Sequence, residues 1–345
     1  MSDVDPAELS RGGELDLPAI FDRVEQSLLG GPRRYTRIQI AELAGMTTDE
    51  TSQLWRALGF ATVADDEVVF TDGDVEALRE ARFLNENLIG DDELRLAITR
   101  VVGRALSRLA SLQGQLLLEL ATTRPEVLSS EESIVELVGR IVPVMEHIQA
   151  FVWRRQLVAY FSRIASHAAT EVTGPAVAPI VVGFADMAGF TSLTRRASEA
   201  EFRELLETFE ASATDVVGAG GGRIIKTIGD EVLFVADTPD DGAEIALRLQ
   251  EVAGSDGRLP PLRIGVAAGP VVTRLGDVYG ATVNIASRLT SICRPGWILI
   301  DRMMAEALRN DRRYELKSRR PESVRGYHHL RQWRLRWASE ARTKS

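Results

Sequence analysis

Ile180 to Gly189 reads IVVGFADMAG, and Ile224 to Ala236 reads IIKTIGDEVLFVA. Each is an apolar, β-branched run of strand length that meets an Asp close to a Gly, as a buried strand does on reaching the rim of a sheet. Asp186 and Asp230 therefore stand at strand ends. Their hard carboxylate oxygens suit Mg²⁺ or Mn²⁺, which use one or two protein carboxylates when a phosphate supplies the remaining ligands. Taken singly, an Asp near a Gly is equally what a tight turn requires.

Outward from the first run, GFTSLTRR opens towards a helix that is clear from Glu199 to Val217. A Gly-containing turn feeding a helix can cradle phosphate with backbone N–H groups, here those around Gly189, Phe190 and Thr191. Outward from the second come LRIGVAAGP (262 to 270), a short VVTRLGDVYG connector and TVNIASRLTSI (282 to 292). In the last stretch Asn284 and Arg288 are four residues apart and share one helix face, while Ile285, Leu289 and Ile292 form a buried stripe. Arg is a permanent, forked donor suited to phosphate. Standing alone, this pair would read as a solvated helix face.

The chain has 345 residues, enough for about two domains, and 45% hydrophobic with 26% charged residues is the composition of an ordinary globular protein. No apolar stretch approaches the roughly 20 residues needed to span a bilayer. The polar, acidic start MSDVDPAELSRGGELD has the character of neither a signal nor a transit peptide, so a cytoplasmic protein is expected. The single Cys293 excludes an intramolecular disulfide and a cysteine-based zinc site, and its apolar helical context makes it a small core residue. A net charge of −9 opposes nucleic-acid binding but leaves nucleotide binding open.

Towards the N-terminus, Tyr35 to Arg79 reads as a helix, a turn at Gly45, a second helix from Thr48 to Leu58 and a short hairpin. This resembles the winged helix-turn-helix of mercury-resistance-type regulators. Between Arg33 and Glu80 there are five basic residues (33, 34, 37, 56, 79) against ten acidic ones (42, 49, 50, 65, 66, 67, 72, 74, 76, 80), a balance that repels DNA phosphates. The segment is better read as a packing module. Helices follow to Leu120, with Asp91–Glu93 as a cap. The run QLLLEL (115 to 120) is expected to be buried, although a greasy pocket for a lipid-like effector is the alternative. A long helix runs from Ser130, with Pro143 expected to kink it, and the TGPAVAP stretch ends a helical connector.

Taken together, FADMAGFT, KTIGDEVLFVA, GDVYGATVN and NIASRL, in this order and spacing, resemble the class III nucleotide cyclases over about Ala178 to Leu335. The resemblance implies an α+β chain: an all-α N-terminal regulatory domain at 1–129, a helical linker at 130–172 and a ferredoxin-like βαββαβ catalytic domain at 173–345. It makes Asp186, Asp230 and the Met187 backbone carbonyl the ligands of two Mg²⁺ or Mn²⁺ ions per active site. Lys226 and Asp277 become the pair that selects adenine, Asn284 the residue that orients the ribose, and Arg288 the one that stabilises the transition state. The base pair of residues has its own logic, since Lys226 can donate to adenine N1 and Asp277 can accept from the exocyclic amine, a pattern that guanine reverses.

The implied reaction is attack of the ribose 3′-oxygen of ATP on the α-phosphorus, giving cyclic AMP and pyrophosphate. In the family each site lies between two chains, and this chain carries both halves, so a homodimer is implied. Two departures stand out. The connector between Gly269 and Asp277 is short, as in members with a reduced dimerisation arm. Tyr327 also occupies the place of a triphosphate-binding Lys, for which Arg325 or Lys317 would have to substitute.

The N-terminal half resembles that of actinobacterial members that respond to pH or to fatty acids, and His147 and His167 lie where a proton switch could sit; a structural histidine is the commoner outcome. A guanylate cyclase, and a DNA-binding or ligand-sensing regulator with a silent cyclase domain, are the competing readings. Lys226 with Asp277 opposes the first. The complete site and the acidic helix-turn-helix oppose the second.

Overall fold

The computed structural model describes residues 16–88, 90–123, 130–170, 180–190, 193, 195, 197–255, 257, 259–324 and 327–339. The chain divides into two compact units between Ala165 and Ser166.

In the first unit, α1 (Leu17–Leu28) is capped by Asp16. Helices α2 (Arg37–Ala44) and α3 (Thr48–Leu58) each start with a capping box, Thr36 with Gln39 and Thr47 with Glu50. Gly45 ends α2 at φ 68°, a left-handed conformation that a Cβ would penalise. The helix-turn-helix is therefore present. The hairpin expected after it is not: residues 60–69 form no strand, and only an isolated bridge joins Tyr35 to Phe70. Trp55 accounts for this, because its ring packs on Phe60 and Phe70 while its Nε1 donates to the Ala61 carbonyl at 2.9 Å, tying the loop to α3.

Helices α4 (Asp72–Leu88), α5 (Asp92–Thr123) and α6 (Glu131–Thr170) complete the unit, and Pro143 lies inside α6. Asp91 accepts from the Glu93 and Leu94 amides at 2.9 and 3.3 Å and caps α5 as expected. The burial expected for QLLLEL does not occur, since Leu116 and Leu118 are 55% and 40% exposed. The reason is length: α5 meets α3 where Gly103 abuts Leu58, and Leu116 lies about 20 Å further along the helix.

The second unit is built on a seven-stranded sheet, ordered β2-β3-β1-β4-β7-β11-β8. These strands are β1 (Ile180–Met187), β2 (Arg223–Ile228), β3 (Glu231–Ala236), β4 (Leu262–Gly269), β7 (Trp297–Ile300), β8 (Tyr314–Ser318) and β11 (Trp333–Trp337). Two small hairpins accompany them, β5 (Val272–Arg274) with β6 (Asp277–Tyr279) and β9 (Glu322–Val324) with β10 (Tyr327–Leu330). The first four strands follow the ferredoxin-like order, and all pairings in the large sheet are antiparallel except β4 with β7.

Period-two alternation splits the sheet into two apolar faces. On one, Val181, Val232, Phe234 and Ile264 pack beneath α7 (Glu199–Ala219), α8 (Pro239–Ser255) and α10 (Arg302–Leu308). On the other, Val182, Phe184, Leu233 and Val235 pack beneath α9 (Ala281–Ile292) through Ala286. Gly265 lets α9 come down onto β4, because a Cβ there would meet the Thr290 amide at 2.4 Å and the Ala286 carbonyl at 2.5 Å. Cys293, 4% exposed, closes the end of α9 as the core residue expected of it. Among the described residues no helix is long and apolar enough to cross a membrane.

Candidate active site

Strand β1 runs out at Asp186, which is paired across the sheet with Glu231 at the start of β3; Asp230 occupies the turn between β2 and β3, made possible by Gly229 at φ 62°. The Met187 amide donates to the Asp230 carbonyl at 3.1 Å and fixes this turn against the end of β1. The two strand ends are thereby brought together, with the Asp186 and Asp230 carboxyl groups in hydrogen-bonding reach. Burial first, then the charge of Asp230, pushes Asp186 up to about 6. Burial, then Asp186 and Asp230, pushes Glu231 up to about 7. Negative charge is therefore concentrated at this rim beyond what local cations neutralise. A divalent cation fits such a donor set. Among the described residues no group of three or more His, Cys, Asp or Glu side chains converges, and Mg²⁺ or Mn²⁺ needs only one or two protein carboxylates where phosphate supplies the other ligands.

Lys226 lies on β2 opposite Leu233, on the α9 face, and its Nζ donates to Asp277 Oδ2 at 2.5 Å. Asp277 begins β6, and the β5–β6 hairpin carries it there by a turn at Leu275 and Gly276, both at positive φ (54° and 81°). The short connector of the sequence reading is thus a two-residue hairpin. Burial works to raise the Asp277 pKa, but Lys226 and the Val278 amide outweigh it and hold the carboxyl below its usual range. Asn284 is exposed on α9, and Arg288, one turn on, is half-buried with no carboxylate partner among the described residues. Leu289 beneath them is fully buried.

Gly189 has φ 80°, and the Phe190 ring packs against Phe202 at 5.5 Å, anchoring the start of the loop in the core. Thr191 and Arg325 lie outside the described residues, as does the side chain of Tyr327. Lys317 is exposed on β8, cross-strand from Arg334.

One residue near the rim escaped the sequence reading. Arg263 on β4 is directly opposite Asp186, with its Nη1 3.9 Å from Asp186 Oδ2 and its Nε buried without a hydrogen bond. Only strand register, which places LRIGV antiparallel to FADM, could have found it.

Residues 173–336 match the family described as the adenylate and guanylate cyclase catalytic domain. The chain is 36% identical over 326 residues to an adenylate cyclase of Glutamicibacter nicotianae, covering 90% of this chain and 81% of that protein. It is 42% identical over 287 residues to an adenylate cyclase of Streptomyces coelicolor, covering 83% and 74%. The chain belongs to the class III nucleotide cyclases.

A third relative is the pH-sensitive adenylate cyclase of Mycobacterium tuberculosis, 34% identical over 276 residues that cover 78% of this cyclase and 69% of that one. The two longest of these matches extend beyond the catalytic domain, so the helical unit belongs to the likeness. Divalent cations are part of the chemistry of this family.

Proposed function

We infer that this protein is an adenylate cyclase, converting ATP to 3′,5′-cyclic AMP and pyrophosphate in a homodimer. The observation that carries the reading is that one face of the large sheet holds Asp186 and Lys226, the first beside Asp230 in the β2–β3 turn and the second paired with Asp277 of the β5–β6 hairpin, next to the helix that bears Asn284 and Arg288. Asp186, Asp230 and the Met187 carbonyl would hold two Mg²⁺ or Mn²⁺ ions, whose chemistry is to lower the pKa of the ribose 3′-hydroxyl and to neutralise the triphosphate.

The chain's own groups do the rest. Lys226 donates to adenine N1 and Asp277 accepts from the exocyclic amine. Asn284 orients the ribose so that its 3′-oxygen faces the α-phosphorus. Arg288 meets the charge that grows on the phosphoryl oxygens as pyrophosphate leaves. Arg263, beside Asp186, offers a cation to the phosphates and fills the need left by Tyr327. The backbone around Gly189, Phe190 and Thr191 caps the same end.

Arg288, with no carboxylate partner among the described residues, suits a site completed by a second chain, Asp186 and Asp230 coming from one protomer and Lys226, Asp277, Asn284 and Arg288 from the other. The helical domain at 1–129, with the linker at 130–172, is the regulatory part. A proton is the effector favoured, since one relative is named for its pH sensitivity. A lipid is less well supported: the apolar cavity lined by Ile40, Trp55 and Phe70 measures about 20 Å³, room for little more than a water, and the larger one beside α3, about 270 Å³, is lined by the polar Gln53, Arg56 and Arg100.

The test is cyclic-nucleotide formation by the purified full chain with Mn²⁺ or Mg²⁺ and either ATP or GTP, beside Asp230→Ala. Cyclic AMP from ATP that disappears in the variant is the expected result. Cyclic GMP formed from GTP in excess of cyclic AMP from ATP, or an Asp230→Ala variant as active as the parent, would overturn it.

A further inference from the structure

The rim that carries the carboxylates continues across the sheet in register: Glu231 on β3, Asp186 on β1, Arg263 on β4 and Trp297 on β7. Residues directly opposite one another share a face, so all four side chains lie on the α9 side, and Trp297 is about 10 Å from Asp186 in strand spacing. Around the Trp297 ring stand three guanidinium groups, Arg334 at 4.0 Å from the centroid, Arg319 at 4.8 Å and Arg294 at 5.2 Å. They come from β11, from the residue after β8 and from the segment after α9. Arg263 and Arg334 both bear on the Cys293 thiol between them, which ties this cluster to the Arg263 end of the rim.

Cation–π contacts stabilise such a group. They leave its charge uncompensated. Among the described residues none of the three has a carboxylate partner, and the neighbouring Glu315 is held by Arg336 at 2.5 Å. Burial, followed by the charges of Arg336 and Arg319, pulls the Arg334 pKa down, and the Arg334 Nε is buried with no hydrogen-bond acceptor. Forked donors without acceptors, gathered at one end of a row whose other end holds a metal-suited carboxyl pair, describe half of a polyphosphate site.

We propose that Arg294, Arg319 and Arg334, arrayed on Trp297, form a subsite for the distal phosphates of the nucleotide and for the pyrophosphate that leaves. This rests on the cyclase reading and deepens it: Arg263 bridges from the metal end, and the triphosphate runs along the rim from Asp186 towards Trp297. Together with Arg263, the cluster supplies the cations that Tyr327 does not.

The experiment compares the full-length enzyme with Arg319→Gln/Arg334→Gln, with Arg294→Gln at an exposed position that folding tolerates, and with Arg334→Lys. The double variant is expected to raise both KM for ATP and the inhibition constant for pyrophosphate about tenfold, as loss of hydrogen bonds to a charged group implies. Its kcat should stay within about threefold and inhibition by adenosine, which has no phosphates, should not change. Arg294→Gln shifts KM and pyrophosphate inhibition in the same direction by a smaller factor, and Arg334→Lys falls between parent and double variant. Unchanged KM and pyrophosphate inhibition, or weakening of adenosine and pyrophosphate alike with a fallen Tm, would overturn the proposal and leave a structural cation–π stack. Should the parent form no cyclic nucleotide, the cyclase reading fails first, and calorimetric titration of pyrophosphate into parent and double variant still decides the subsite: binding that only the parent shows supports it, equal or absent binding refutes it.

Discussion

Gly265→Ala is the sharpest available test of how the fold sets the site. A Cβ at this position would lie 2.4 Å from the Thr290 amide nitrogen and 2.5 Å from both the Ala286 carbonyl and the Thr290 hydroxyl. Ordinary contact begins near 3.4 Å, so α9 has to lift off β4 by about 1 Å, since close-packed interiors deform little. Overpacking of this kind costs about 2 kcal/mol, which for a domain of this size lowers Tm by about 4–8 °C. The helix that moves carries Asn284 and Arg288, and a displacement of about 1 Å in groups that position a reacting phosphate costs about 100-fold in kcat. Thermal unfolding and steady-state cyclic AMP formation measure the two effects on one sample. Gly218→Ala is the control, because a Cβ there meets nothing within 4 Å. A Gly265→Ala protein with Tm within about 1 °C of the parent and kcat within about twofold would show that α9 is not seated as described.

Burial and mutual repulsion raise the folded-state pKa of Asp186 from 3.8 to about 6 and of Glu231 from 4.5 to about 7, so the stability they contribute is complete below their unfolded values and is lost progressively as pH climbs from those values to about 6 and 7. Metal-free protein should therefore show a pH-dependent fall in Tm over that window that Mg²⁺ reverses and that Asp186→Asn/Glu231→Gln lacks; identical pH profiles for parent and variant would refute this. Co-expressed Asp230→Ala and Arg288→Ala chains, each inactive alone, should regain about a quarter of parental activity through mixed dimers with one intact site; no recovery would place the whole site within one chain. Lys226→Ala should lower the ATP:GTP preference at least tenfold, by about 1.4 kcal/mol or more, and an unchanged ratio would separate Lys226 from base recognition.

The strand–helix order of the catalytic unit was legible because its core strands are β-branched runs and its helices carry clear caps, such as Ser198 with Glu201. Asp186 and Asp230, proposed as metal ligands, and Asn284 and Arg288 stood out only through their joint spacing, since each alone has an ordinary explanation. What stayed hidden depended on register or on tertiary partners. Arg263, Arg294, Trp297, Arg319 and Arg334 are scattered over 72 positions, and only the pairing of β4, β7, β11 and β8 collects them. The β5–β6 hairpin was missed because Leu275 sits at positive φ without the Asn or Asp that usually marks such a turn. The hairpin expected after α3 failed for the opposite reason: local sequence permitted it, and Trp55 claimed the segment. His147 is exposed, and the side chain of His167 lies outside the described residues, so the proton switch stays an expectation.

The ion pair between Lys226 and Asp277 has a thermodynamic consequence. Each group already satisfies the other at 2.5 Å. If the pair reads the base as proposed, adenine enters by exchange: it must return to the ammonium an acceptor and to the carboxylate a donor, and the net gain is the small difference between two well-made sets of hydrogen bonds. A base with the reversed pattern forfeits the original bond and offers nothing in its place. Discrimination then comes from what the wrong nucleotide breaks, and the affinity for the right one can stay modest enough for the product to leave.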